Sequence, residues 1–239
     1  MLITTKAIVF HAIKYGEADL IVKCYTEKAG IRTYLIRGVL KSKKGKLRAS
    51  LFQPLTQLEI VASHRDKGSM EYLREAKVSL PYHSLHTDVI KSTVVFFLAE
   101  MLRNTIVEEE SNEALFHFLE NSFSWFDIND KPANFHLLFL LRLTKYLGFY
   151  PNDIQEEAAF FNLEEGEFTN IKSGEYRICD ENLDLLKRLL GINFEGLAEL
   201  KLNQTRRTGF LLILLDYYEL HIQGFRRPKS LSVLNEIFY

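Results

Sequence analysis

Five stretches of alternating side chains, each bounded by turn residues, fall within the first eighty positions; at about His83 the apolar period changes from two to helical. The β-like stretches run over residues 3–10, 20–26, 31–37, 55–62 and 70–78. Gly16 and Asp19 mark the first connection, Lys28-Ala29-Gly30 makes the second a tight hairpin, and residues 64–68 form the fourth turn. Five short strands in so short a span predict a small barrel, and the OB-fold is the five-stranded option. Beyond the switch, helices are expected over residues 88–107, 112–126, 132–147, 182–190, 205–222 and 230–238. The first should be buried on nearly every side, and Gly148 with Pro151 should close the third. The expected class is therefore α+β: an OB-fold domain over 1–80 and a helical bundle domain over 81–239, with an irregular, acidic segment at 151–180.

Charge divides at the same place. Residues 1–80 carry a balance of +8 and residues 81–239 one of −9, within a chain whose formal net charge is −1. From Lys28 to Leu58 there are eight basic residues and no Asp or Glu. Arg37, Lys41, Lys43, Lys44, Lys46 and Arg48 crowd twelve positions that also hold Gly38 and Gly45, a loop that repels itself unless it meets a polyanion. Such a run also reads as a solvated loop or a nuclear-localisation segment.

On the central hairpin, Leu20, Val22, Cys24 and Thr26 face one way, and Ile21, Lys23 and Tyr25 the other. On the next strand, Ile31, Thr33 and Leu35 oppose Arg32, Tyr34 and Ile36. This pattern is read as setting Lys23, Tyr25, Arg32 and Tyr34 on the outer face, cations beside rings, as single-stranded nucleic acid requires. Arg65 and Lys67 would join from the connection between strands four and five. Exposed Tyr, Lys and Arg are also ordinary strand-surface residues. In the helical half, Arg142 and Lys145 project from an apolar helix, and Arg206 and Arg207 lie at a helix end. They read either as partners of nearby acids or as a basic rim for an acidic peptide.

No chemistry of catalysis stands out. The P-loop, H-E-x-x-H, G-x-S-x-G and C-x-x-C patterns are missing. Cys24 and Cys179, one in each half, can make neither a cysteine-rich zinc site nor a disulfide framework, and fit a reducing cytoplasm. Apolar runs such as 137–141 and 210–215 fall far short of the ~20 residues a membrane span needs. A soluble, cytoplasmic, non-enzymatic protein is expected.

Several segments stand out in order: Ala7-Ile8-Val9-Phe10, then Tyr15-Gly16-Glu17-Ala18-Asp19, Tyr25-Thr26 and Gly30; Arg37-Gly38-Val39 and Gln53-Pro54-Leu55; Leu147-Gly148-Phe149-Tyr150-Pro151; and residues 215–222 with Lys229-Ser230 downstream. Taken together, they resemble the RecO family of bacterial DNA-repair and recombination-mediator proteins. The resemblance implies an N-terminal OB-fold joined to a helical domain. It implies binding of single- and double-stranded DNA, strand annealing, and help in loading recombinase onto DNA coated by single-strand-binding protein. RecR and the acidic C-terminal tail of single-strand-binding protein are the implied protein partners, in a nucleoid-associated setting; a nuclear-localisation reading does not fit. Many members carry a four-cysteine zinc module after the stretch corresponding to 147–151. Here 151–180 holds only Cys179, so no cofactor, zinc included, is expected. Two other readings stand beside this one: an adaptor whose helical domain binds acidic peptides, and an RNA-binding OB module.

Overall fold

Alternating apolar residues and glycine-containing turns give the first five strands, and their pairing closes a barrel. In the computed structural model, which describes residues 2–41, 47–64, 70–130, 133–151, 154–172 and 174–237, these are β1 (Leu2–Tyr15), β2 (Asp19–Thr26), β3 (Gly30–Ile36), β4 (Gln57–Ser63) and β5 (Glu71–Leu80). Their order is β1-β2-β3-β5-β4, with β4 returning to β1. The β3–β5 pairing is parallel and the others antiparallel. This is an OB-like barrel, as the turn spacing predicts.

The first strand runs past residue 10 to Tyr15. A bulge between Val9 and His11 bends it, so its first half pairs with β4 and its second with β2. Val9, Val22, Ile36, Leu58, Ile60 and Ala62 fill the barrel, together with Phe52 from a short 3-10 helix, Ala49–Phe52. At the β2–β3 turn, the Thr26 hydroxyl donates to the Gly30 carbonyl at 2.9 Å, and the Ala29 N–H donates to that hydroxyl.

Two helices complete the first compact unit, which ends at Ile128. They are α1 (Val89–Thr105) and α2 (Glu113–Ile128). Asp88 caps α1 by accepting from the Lys91 N–H. Asp127, in the last turn of α2, is gripped by the segment leaving β5: its carboxylate accepts from the N–H groups of His83, Ser84 and Leu85, each at 2.8 Å. Burial alone would raise its pKa, but these donors and the Ser84 hydroxyl outweigh that and hold the carboxyl below its ordinary value. Buried Lys91 donates to the Asp127 carbonyl and to Ser84 Oγ, both at 2.6 Å. Lys6 of β1 pairs with Glu120 of α2 at 2.8 Å. Such ties carry compactness past the change of period near residue 80.

The second unit, from Asn129, holds α3 (Phe135–Leu147), α4 (Asp180–Gly191), α5 (Gln204–His221) and α6 (Leu231–Ile237). Gly148 ends α3 at φ +86°, a conformation that favours glycine. The segment expected to be irregular instead contains a three-stranded sheet, β6 (Phe160–Asn162), β7 (Glu167–Thr169) and β8 (Arg177–Ile178), in the order β7-β6-β8. Phe161 and Phe168 pack edge to face at 4.9 Å, and Phe161 meets Tyr217 of α5. The hydroxyls of Tyr217 and Tyr218 donate to the carbonyls of Phe149 and Leu140. No described helix is long and apolar enough to cross a membrane.

Candidate nucleic-acid interface

Cross-strand partners share a face, so the β2–β3 register decides which side chains look outward. Leu20 pairs with Ile36 and Val22 with Tyr34, and all four belong to the barrel core. Tyr34 is therefore an interior residue, 0% exposed, with its hydroxyl 2.9 Å from His64 Nε2. The expected outward face of β3 is the inward one. Arg32, Tyr34 and Ile36 do alternate together, but it is Ile31, Thr33 and Leu35 that line up with the outward side of β2.

Three rows cross that outer face. Ile8, Tyr25 and Ile31 form the row nearest the β2–β3 turn. His11, Lys23 and Thr33 form the middle row. Ile13, Ile21 and Leu35 form the last, and the parallel pair Leu35–Tyr72 extends it onto β5.

The first row is covered. Tyr25 points outward as expected but is only 1% exposed, stacked between Phe10 and Phe116 of α2 with its hydroxyl donating to the Asn112 carbonyl. Burial pushes its phenol up to about 12. The α1–α2 connector, residues 106–112, lies against the turn: the Ile31 N–H donates to the Glu108 carbonyl at 3.1 Å. Gly30, at φ +60°, sits so close that a Cβ there would overlap the Glu110 carbonyl oxygen. Arg32, largely buried, pairs with Glu109 at 3.3 Å and donates to the Ile31 carbonyl. Neither tyrosine emerges to stack on a base, and Arg32 already faces a carboxylate.

The opposite end is open. Ile13 is 45% exposed and Tyr15 50%, while Ile21, Leu35 and Tyr72 are half-buried. Arg37 donates to the Tyr72 hydroxyl at 3.2 Å, and its guanidinium carbon lies 5.3 Å from that ring's centre. Gly38, at φ +68°, donates its N–H to Asp19 Oδ1 at 2.8 Å, and the Leu40 N–H donates to the Ala18 carbonyl. These bonds fasten the start of the basic loop to the β1–β2 turn. Lys41 pairs with Glu17 at 2.8 Å, both side chains well exposed, so the pair contributes at most about 1 kcal/mol and yields readily to another anion. Arg48 is exposed at the start of the 3-10 helix. Lys43, Lys44, Lys46, Arg65 and Lys67 lie outside the described residues. Of the expected barrel contacts, Lys23, Arg37, Lys41 and Arg48 thus have side chains at least partly available. The apolar row of Ile13, Ile21, Leu35 and Tyr72 lay beyond sequence reasoning, because only the register brings it together.

In the second unit, Arg142 donates to the Ile192 carbonyl, and Arg207 to Asn134 Oδ1 and the Leu202 carbonyl. Arg206 pairs with Glu181 at 3.4 Å. Lys145 stands exposed in the last turn of α3. The three arginines are thus engaged within the fold, at three different places. Cys24 is buried in the barrel, its thiol pushed up to about 12 by burial. Among the described residues, no three His, Cys, Asp or Glu side chains gather as a metal cage.

The architecture is that of an α+β protein with an N-terminal OB-like barrel followed by helices. Residues 1–82 match the family described as Recombination protein O N terminal, and residues 86–231 match Recombination protein O C terminal. The DNA repair protein RecO of Christiangramia forsetii is 63% identical over 238 residues, spanning all of both chains. Those of Flavobacterium psychrophilum and Bacteroides fragilis are 47% and 39% identical, again over the full length of each chain. The chain belongs to the RecO family of DNA repair proteins.

Proposed function

We propose that this protein is a recombination mediator that binds single- and double-stranded DNA on the open end of its barrel, anneals complementary strands, and helps load recombinase onto DNA coated by single-strand-binding protein. The observation that carries the reading is the half-exposed row of Ile13, Ile21, Leu35 and Tyr72, with Lys23 on one side and Arg37 and Lys41 toward the other. Bases would lie on the aliphatic and phenolic surface while the cations track phosphates. The basic loop, fastened to the β1–β2 turn at Gly38 and Leu40, would extend that track. Annealing follows because one positive surface neutralises two strands whose mutual repulsion otherwise slows their encounter. The protein would act in the cytoplasm at DNA gaps, without zinc and without turnover of its own. RecR and the acidic tail of single-strand-binding protein would be its partners, with exposed Lys145 the first residue to test for the tail.

Oligonucleotide binding tests this directly. With about four phosphates neutralised on a single strand, affinity should fall roughly fiftyfold between 50 and 200 mM salt. Replacing Lys41, Lys43, Lys44 and Lys46 together by Glu should abolish binding and annealing with Tm nearly unchanged. A flat salt titration, or binding retained by that variant, would refute the reading. Preference for a matched RNA strand would reassign it to an RNA-binding barrel.

A further inference from the structure

The bulge in β1 makes Phe10 the extra residue: Val9 pairs with Cys24, and the next pair is His11 with Lys23. Phe10 turns under Tyr25, and His11 comes to stand beside Lys23 on the outer face, one row from Ile13 and Ile21. Helix α1 packs on β1, and Arg103, half-buried in its last turn, lies near enough to act electrostatically on both His11 and Lys23. Arg103 reaches Glu100 of its own helix at 3.5 Å, a long contact for an ion pair. His11, Lys23 and Arg103, from three elements and each half-buried, therefore act on one another beside the Glu100 carboxylate.

We propose that His11, Lys23 and Arg103 form a seat for one backbone phosphate of the bound strand, placed where the apolar row meets α1. This rests on the DNA-binding reading above and gives that surface a proton-linked anchor. Burial, reinforced by Arg103, holds the Lys23 ammonium below its ordinary value. Burial, Arg103 and Lys23 do the same to the His11 imidazole, and Glu100 acts the other way without reversing the outcome. The free protein thus keeps His11 neutral at pH 7 while two cations stand close by. A phosphate entering the seat reverses the balance: it offsets the repulsion and raises the imidazole's pKa, so that binding takes up a proton. Affinity must then rise as pH falls through the bound-state value, and level off below the free-state value.

Fluorescence anisotropy with a labelled single-stranded oligonucleotide at pH 8, 7 and 6 tests the seat, using the full chain and the variants H11Q, K23Q and R103Q. The unaltered protein should bind about three- to tenfold tighter at pH 6 than at pH 8. H11Q should bind nearly as well at pH 8 and lose that gain; H11N serves if H11Q lowers Tm. K23Q and R103Q should each weaken binding about three- to tenfold and reduce the salt slope by about one. A pH gain that survives in H11Q, no gain in the unaltered protein, or R103Q behaving as the unaltered chain would each overturn the seat. If the four-lysine reversal still abolishes binding in those cases, the seat alone fails; if it too has no effect, the DNA-binding reading fails with it.

Discussion

The two ends of the β2–β3 hairpin start with similar chemistry and meet opposite surroundings. Near the turn stand Tyr25 and Arg32, a ring and a cation. At the far end stand Ile21, Leu35 and Arg37, with Tyr72 beside them. The turn end is closed: Phe116 covers Tyr25, Glu109 faces Arg32, and the connector backbone lies on Gly30. The far end is open, and its aliphatic row borders the basic loop. The difference teaches that the helices decide which part of an OB-like face remains for a ligand. A ring on the outer side of a strand is available only where nothing packs on that side.

Three variants probe the contrast. The largest effect belongs to the closed end, where Gly30→Val would place a branched side chain against the Glu110 carbonyl at a positive φ. About 3 kcal/mol or more of stability should be lost in a denaturant titration. A loss under about 1 kcal/mol would mean that the connector does not lie on the turn. Next comes the open end: Ile21→Asp with Leu35→Asp should weaken oligonucleotide binding roughly thirtyfold, about 2 kcal/mol, with only a small change in Tm. Unchanged affinity there would move the bases elsewhere. The smallest effect is expected of Tyr25→Phe, which removes one hydroxyl donor to Asn112 and should cost about 1 kcal/mol of stability with no change in affinity. Weakened DNA binding by this variant would return Tyr25 to the interface.

The strands, their order of occurrence and the helices were legible because alternation and helical spacing are local signals. The side of β3 that faces inward was not. Its two faces, Ile31-Thr33-Leu35 and Arg32-Tyr34-Ile36, are similarly mixed, and only pairing with Val22 and Leu20 resolves them. The covering of Tyr25 depends on Phe116 and Asn112, far along the chain, so no nearby pattern announces it. The small sheet of the second unit leaves no pattern in the sequence, because strands of two or three residues are too short to alternate. Charge was the reverse case. The basic run was evident in the sequence, while the ion pairs of Arg32 with Glu109 and Lys41 with Glu17 required the fold. His11 and Arg103 carry no joint signal, since the effect of one on the other depends on a bulge and on a helix far along the chain.

Photo-crosslinking asks most directly which end of the hairpin meets DNA. With p-benzoylphenylalanine placed at Ile13 in one variant and at exposed Lys28, beside the β2–β3 turn, in another, single-stranded DNA should become attached through position 13 and not through position 28. Attachment at position 28 with none at position 13 would contradict the account.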